Sequence, residues 1–219
     1  MDKTITVRGV GSVSVKPDYV VISMRLDCSD KFYEKAARLA SDNLAELNIA
    51  MQSVGFEKDS IKTTDFNVYT EYRSVKDKNG NYRSVFDSYH YALQLKLSFD
   101  FDTKRLSDTI SAIASCATKP EINISFTVKD PSQVHNELLK NAAENARAKA
   151  EILCQAAGAK LGELVSIDYN WSEINLISPV RYAMEDRCMP KMSNSAFTEE
   201  ICPEDIKTSD SAAFVWKIC

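Results

Sequence analysis

The sequence predicts an α+β fold: a mixed, mostly antiparallel sheet with helices packed on one face. Three observations carry this. Tyr89, Tyr91, Leu93, Leu95, Leu97, Phe99 and Phe101 alternate with His90, Ala92, Gln94, Lys96, Ser98 and Asp100. A period-2 run with one apolar and one polar face marks an antiparallel strand solvated on one side. Residues 30–54 change to helical spacing, with Phe32, Ala36, Ala40, Leu44, Leu47, Met51 and Val54 on one face. Finally, strand 20–27, helix 30–54, Gly55 and strand 61–72 are echoed by strand 122–128, helix 131–157, Gly158 and strand 164–171. That echo is a duplicated β-α-β plan.

The elements follow in order. Ile5 and Val7, Val13 and Val15, then Val20, Ile22, Met24 and Leu26 alternate, predicting two strands with a turn at Pro17-Asp18. Gly9 and Gly11 are expected to form a bulge or turn within the first. Ser29 or Asp30 caps the first helix, and Gly55 lies just past its end. A long hairpin comes next. Phe66, Val68 and Tyr72 share a face of its first arm, and Asn79-Gly80 suits a type I′ turn. Its tip, about residues 73–87, is polar and expected to protrude.

Residues 103–117 form a short helix capped by Asp102, and residues 122–128 a strand. Asp130-Pro131 then opens a helix that ends near Gly158. Its alanines (142, 143, 146, 150, 156 and 157) permit close approach to a sheet or neighbouring helix. Leu164–Trp171 and Ile206–Ile218 are strands. The chain is thus expected to be one domain over 1–219, with a protruding hairpin at about 66–91 and an irregular loop at about 172–200. A shorter echo joins Asp59-Ser60-Ile61-Lys62-Thr63-Thr64-Asp65 to Glu204-Asp205-Ile206-Lys207-Thr208-Ser209-Asp210.

Composition narrows the function. The chain has 219 residues, with 31 acidic and 27 basic side chains and a net charge of −4. That balance argues against phosphate-backbone binding, so no nucleic-acid partner is expected. No apolar run reaches the roughly 18 residues of a membrane span. Met1-Asp2-Lys3-Thr4-Ile5 has no apolar signal-peptide core, so the chain as written reads as cytoplasmic. An exported or periplasmic parent follows if the N-terminus was trimmed. The six cysteines form no C-x-x-C pair and are expected to be reduced thiols.

No catalytic, cofactor-binding or metal-ligating set is legible. Gly9-Val10-Gly11-Ser12-Val13-Ser14 lacks the third glycine and the following helix of a phosphate loop. His90 on the polar strand face and His135 in a first helical turn have no patterned partners, and ordinary surface or packing roles are expected. Asp100 and Asp102 share a strand face, where Asp102 serves better as a helix cap than as half of an acid–base pair. Met184, Cys188, Met189, Met192 and Cys202 gather in the loop over 184–202. Soft sulfur ligands of this kind suit Cu(I), which makes small-ligand or soft-metal binding the alternative function. The leading function is a non-enzymatic, oligomer-forming scaffold or interaction module. Its candidate oligomer contacts are Tyr69, Tyr72, Tyr82 and Phe86 on the hairpin, against the alternative that these rings fold back onto their own core. The expected partners are further copies of the chain or another protein. An enzyme of unfamiliar type is the third reading.

Several segments resemble the SIMPL-domain family, which includes YggE-like and periplasmic immunogenic proteins. Ile5-Thr6-Val7-Arg8-Gly9-Val10-Gly11 followed by Val15-Lys16-Pro17-Asp18 is similar to its opening. Val54-Gly55 and Asp59-Ser60-Ile61-Lys62-Thr63 resemble its next signature. The most specific match is Ala142 through Arg147-Ala148-Lys149-Ala150 to Ala157-Gly158, then Leu161-Gly162. Ile201-Cys202-Pro203-Glu204-Asp205-Ile206 resembles the segment before the last strand, with Glu204 where the family has glycine. The resemblance implies no known biochemical activity and no established catalytic residues. It implies large ring-like or channel-like homo-oligomers in some members, a link to oxidative-stress tolerance or envelope physiology in others, a signalling adaptor as a eukaryotic relative, and export for most bacterial members.

Overall fold

The computed structural model describes residues 3–78, 81–170, 174–179, 182–184 (backbone only) and 201–219. The strands are β1 (Thr4–Val15), β2 (Tyr19–Asp30), β3 (Lys62–Lys76), β4 (Tyr82–Asp100), β5 (Glu121–Thr127), β6 (Leu161–Asp168), β7 (Tyr182–Met184) and β8 (Ile206–Ile218). The helices are α1 (Tyr33–Ser53), α2 (Thr103–Ser115) and α3 (Pro131–Ala156). The α+β class is as the sequence predicts. The strands form two sheets, of order β1-β8-β6 and β3-β4-β2-β5-β7. The chain accordingly divides into two compact units: residues 1–18, 127–179 and 203–219 form the first, and residues 19–126 and 180–202 the second.

In the first unit β8 is the central strand, antiparallel to both β1 and β6. β1 pairs with β8 without a break from Thr4↔Lys217 to Val15↔Ile206, so the bulge or turn expected at Gly9–Gly11 does not occur. The glycines serve the helix instead. α3 lies so close that a Cβ on Gly9 would overlap the Ala142 carbonyl, and one on Gly11 the Leu138 carbonyl. Ala142, Ala146 and Ala150 give α3 the matching small surface and are fully buried. Val134 and Leu138 extend this buried stripe toward the N-terminus, and Cys154 toward the C-terminus. The expected start holds, with Pro131 in the first turn and the Asp130 carboxylate accepting the Ser132 N–H at 2.9 Å.

The same helix closes the free edge of β1. The Val10 N–H donates to Asn145 Oδ1 (3.1 Å), Asn141 Nδ2 donates to the Ser12 carbonyl (3.2 Å), and Lys149 Nζ donates to the Arg8 carbonyl (3.3 Å). Residues 141, 145 and 149 are one helical turn apart, so a single stripe of α3 satisfies three of the strand's outward polar groups.

In the second unit, α1 and α2 cover one face of the five-stranded sheet. Val20, Ile22, Met24, Leu26 and Cys28 of β2 and Leu93, Leu95, Leu97 and Phe99 of β4 meet Ala36, Ala40, Leu47, Met51, Leu106, Ile110 and Ile113. α2 starts as expected, with Asp102 accepting the Arg105 N–H at 2.7 Å. α1 starts later than expected because β2 runs on through Asp30. Phe32 occupies its cap position, and the Asp30 carboxylate accepts the Phe32 N–H (2.8 Å) rather than capping the helix itself. From α1, Glu46 accepts the Ala117 N–H (2.6 Å) and the Thr118 hydroxyl (2.8 Å), which pins the α2–β5 connection and holds its pKa below the ordinary carboxylate value. Within the segment expected to be irregular, β7 pairs antiparallel with β5, Ile122 opposite Met184. Residues 185–200 and Asn79-Gly80 lie outside the described residues.

Candidate functional site

β3 and β4 form the long hairpin at one edge of the second unit's sheet. Its register runs from Lys62↔Lys96 to Lys76↔Tyr82 and shifts at Glu71↔Ser88 and Tyr72↔Phe86, leaving Asp87 without a cross-strand partner. This bulge has a chemical consequence. Side chains on β4 alternate faces, so without it Phe86 would share a face with Ser88 and His90. The extra residue inverts the phase and delivers Phe86 to the face that carries Tyr89 and Tyr91.

That face bears a chain of ring contacts. Tyr72 meets Phe86 with centroids 6.1 Å apart, Phe86 meets Tyr89 at 5.0 Å, Tyr89 meets Tyr33 of α1 at 5.6 Å, Tyr33 meets Tyr91 at 5.6 Å, and Tyr91 meets Phe66 at 5.8 Å. Lys76 Nζ lies 5.9 Å from the centre of the Tyr82 ring farther out. The strip begins in the core and ends in solvent. Tyr91 is 7% exposed, and its pKa is pushed up to about 12, first by burial and then by the Tyr33 hydroxyl. Tyr72 is 57% exposed and Tyr82 73%.

The opposite face of the same hairpin is polar. His90 on β4 joins the strands on both sides of it. Its Nδ1 lies 2.8 Å from Asp27 Oδ1 on β2, and its Nε2 lies 2.7 Å from Glu71 Oε2 on β3 and 3.1 Å from Ser88 Oγ. The Tyr69 ring stacks on the imidazole at 5.0 Å with 13° between the planes, and its hydroxyl donates to Asp27 Oδ2 at 3.2 Å. Arg25 Nη2 lies 3.9 Å from the same oxygen. The His90 pKa is raised above its ordinary value, first by the Asp27 hydrogen bond, with burial opposing and the two carboxylate charges adding. Burial and Asp27 raise that of Tyr69.

Ser88, His90 and Asp27 have the connectivity of a Ser-His-Asp triad, but Glu71 stands nearer to Nε2 than Ser88 does, 2.7 Å against 3.1 Å. Two carboxylates favour the imidazolium, and Glu71 competes for Nε2, the nitrogen that would take the serine proton. The carboxylates also sit on opposite ring nitrogens and do not converge on one ion. Among the described residues no group of three or more His, Cys, Asp or Glu could hold a metal.

The structure therefore separates the four expected oligomer contacts. Tyr72, Tyr82 and Phe86 share the aromatic face, and Tyr69 belongs to the His90 network behind it. Of the sulfur residues considered as Cu(I) ligands, Cys188, Met189 and Met192 lie outside the described residues. Met184 is placed by its backbone in β7, and Cys202 is exposed. In the first unit a shallow depression of about 520 Å³ runs along Ser12, Val13, Ser14, Lys207, Thr208 and Ser209. Sequence reasoning missed the network around His90 because its members come from three strands, with Asp27 63 residues away.

A family model described as SIMPL, a protein of unknown function (DUF541), matches residues 5–216. The chain belongs to the SIMPL family. The SIMPL match takes in strands of both units and the whole hairpin. Two curated relatives are the 26 kDa periplasmic immunogenic proteins of Brucella melitensis biotype 1 and of Brucella abortus. Each is 24% identical over 163 residues, which is 74% of this chain and 65% of the relative. The matched part of this SIMPL chain thus spans a little under two thirds of the relatives' length.

Proposed function

We propose that this SIMPL chain is an assembly module whose hairpin docks onto a second copy through its aromatic face. The observation that carries the reading is the ring strip, continuous with the core at Tyr91 and left uncovered at Tyr72, Phe86 and Tyr82. Large aromatics that are preordered by their neighbours make strong interface anchors, because they bury area with little further loss of rotamer freedom. The role is assembly rather than catalysis, since the chain's triad-like line is blocked at its histidine by Glu71. The relatives' printed names support a periplasmic location over a cytoplasmic one. We extend that location to this chain as part of the proposal.

The test is absolute mass by light scattering over a range of protein concentrations. The wild type is expected to form a multiple of its 24.5 kDa. The double variant Tyr72→Ser/Phe86→Ser should assemble at least about tenfold more weakly, the loss of one interface anchor. A wild-type protein that stays at monomer mass throughout, or a variant of unchanged mass, would refute the proposal.

A further inference from the structure

We infer that His90 is a proton-operated latch that ties the hairpin to the rest of its sheet. Its imidazole contacts both neighbours of β4: Asp27 on β2 at 2.8 Å and Glu71 on β3 at 2.7 Å. The remaining groups around it are Arg25 from β2, the stacked Tyr69 from β3 and Ser88 from β4 itself. Beyond Glu71, Arg73 pairs with Asp87 at 3.3 Å and so is already engaged.

The latch works by counting protons. The imidazolium carries two N–H groups and donates one to each carboxylate, so three strands are tied through one ring. Neutral imidazole carries a single N–H. One carboxylate then faces a ring lone pair, and two acceptors repel. The His90 side chain is only 14% exposed, so water replaces the lost bond poorly. Glu71 is more exposed than Asp27, at 55% against 34%, and it is the partner that water can better satisfy. The outer strand β3 is therefore the one released.

The direction of the pH effect follows from linkage. The folded-state pKa of His90 is raised, so the stabilisation is complete below the ordinary histidine value of about 6.5 and is lost as pH rises through the raised value. The hairpin is tight in mildly acidic solution and loosens in mildly alkaline solution. This inference concerns the isolated chain and holds whether or not the aromatic face meets a second copy.

Amide hydrogen exchange, corrected for intrinsic pH dependence and run on dilute protein, tests it. Between pH 6 and pH 8.5, protection of residues 66–76 and 82–92 should fall about fivefold relative to β1 and β8, the value of one net hydrogen bond. His90→Gln should remove that pH dependence. Glu71→Gln keeps the histidine and tests the same point if the first variant does not fold: it should lower the His90 titration midpoint seen by NMR. The chain has two histidines, His90 and His135, and His135→Asn assigns the His90 signals. Equal protection at both pH values overturns the latch. So does an unaltered pH dependence in His90→Gln, or a His90 midpoint at or below the ordinary value.

Discussion

The two units solve one problem, how a helix covers a sheet, in opposite ways. In the first, helix and strand match in length: α3 has 26 residues, about 39 Å, and β1 has 12, about 40 Å. Gly9 and Gly11 let the backbones touch, and Asn141, Asn145 and Lys149 close the strand edge. In the second, β4 has 19 residues, about 60 Å, and α1 has 21, about 32 Å. No helix of that length can cover the strand. The part beyond α1 keeps its apolar face, built from rings that brace one another. A strand that outruns its helix leaves an uncovered apolar surface, which begins here beyond Tyr33 and Tyr89.

The comparison can be broken at several points. The largest effect belongs to the backbone contact. Gly9→Val/Gly11→Val drives side chains into α3 carbonyls and should cost more than about 4 kcal/mol, read by chemical denaturation. The expectation that residues 1–219 form one domain stands as a proposal, and the same variant tests it. If the two units unfold together, exchange protection of β2 and β4 should drop along with that of β1. In the second unit, Leu97→Ala removes a fully buried side chain that meets helices through side-chain contact alone, and should cost about 3 kcal/mol. Asp130→Ala deletes the α3 cap for about 1 kcal/mol by thermal or denaturant unfolding. Tyr82→Ser, at the solvent end of the strip, should change monomer stability by less than about 0.5 kcal/mol while still weakening assembly.

What the sequence conveyed and what it hid divide along local and non-local lines. The alternation from Tyr89 to Phe101 predicts β4's base, and Asp130-Pro131 predicts where α3 starts, because each signal lies within a few residues. Gly9 and Gly11 suggest a bulge within their own strand. Their actual reason is the α3 backbone some 130 residues later. The echoed β-α-β plan survives as order of elements, but β2 and β3 share a sheet whereas β5 and β6 do not. The bulge at Asp87 was illegible for a different reason: neither Gly nor Pro marks it, and the phase change shows only in the pairing register. It brings Phe86 and Tyr82 to the face of Tyr72, whereas Tyr69 parts from Tyr72 by plain alternation along β3.

The separation of those four residues is also the most direct handle on the proposed interface. Hydroxyl-radical footprinting of dilute and concentrated protein reads each side chain by itself. If the aromatic face meets a second copy, Tyr72, Tyr82 and Phe86 lose reactivity as concentration rises, and Tyr69, on the opposite face, keeps its own. Unchanged reactivity at all four, or a loss at Tyr69 equal to that at Tyr72, would contradict an interface built on the uncovered end of the hairpin.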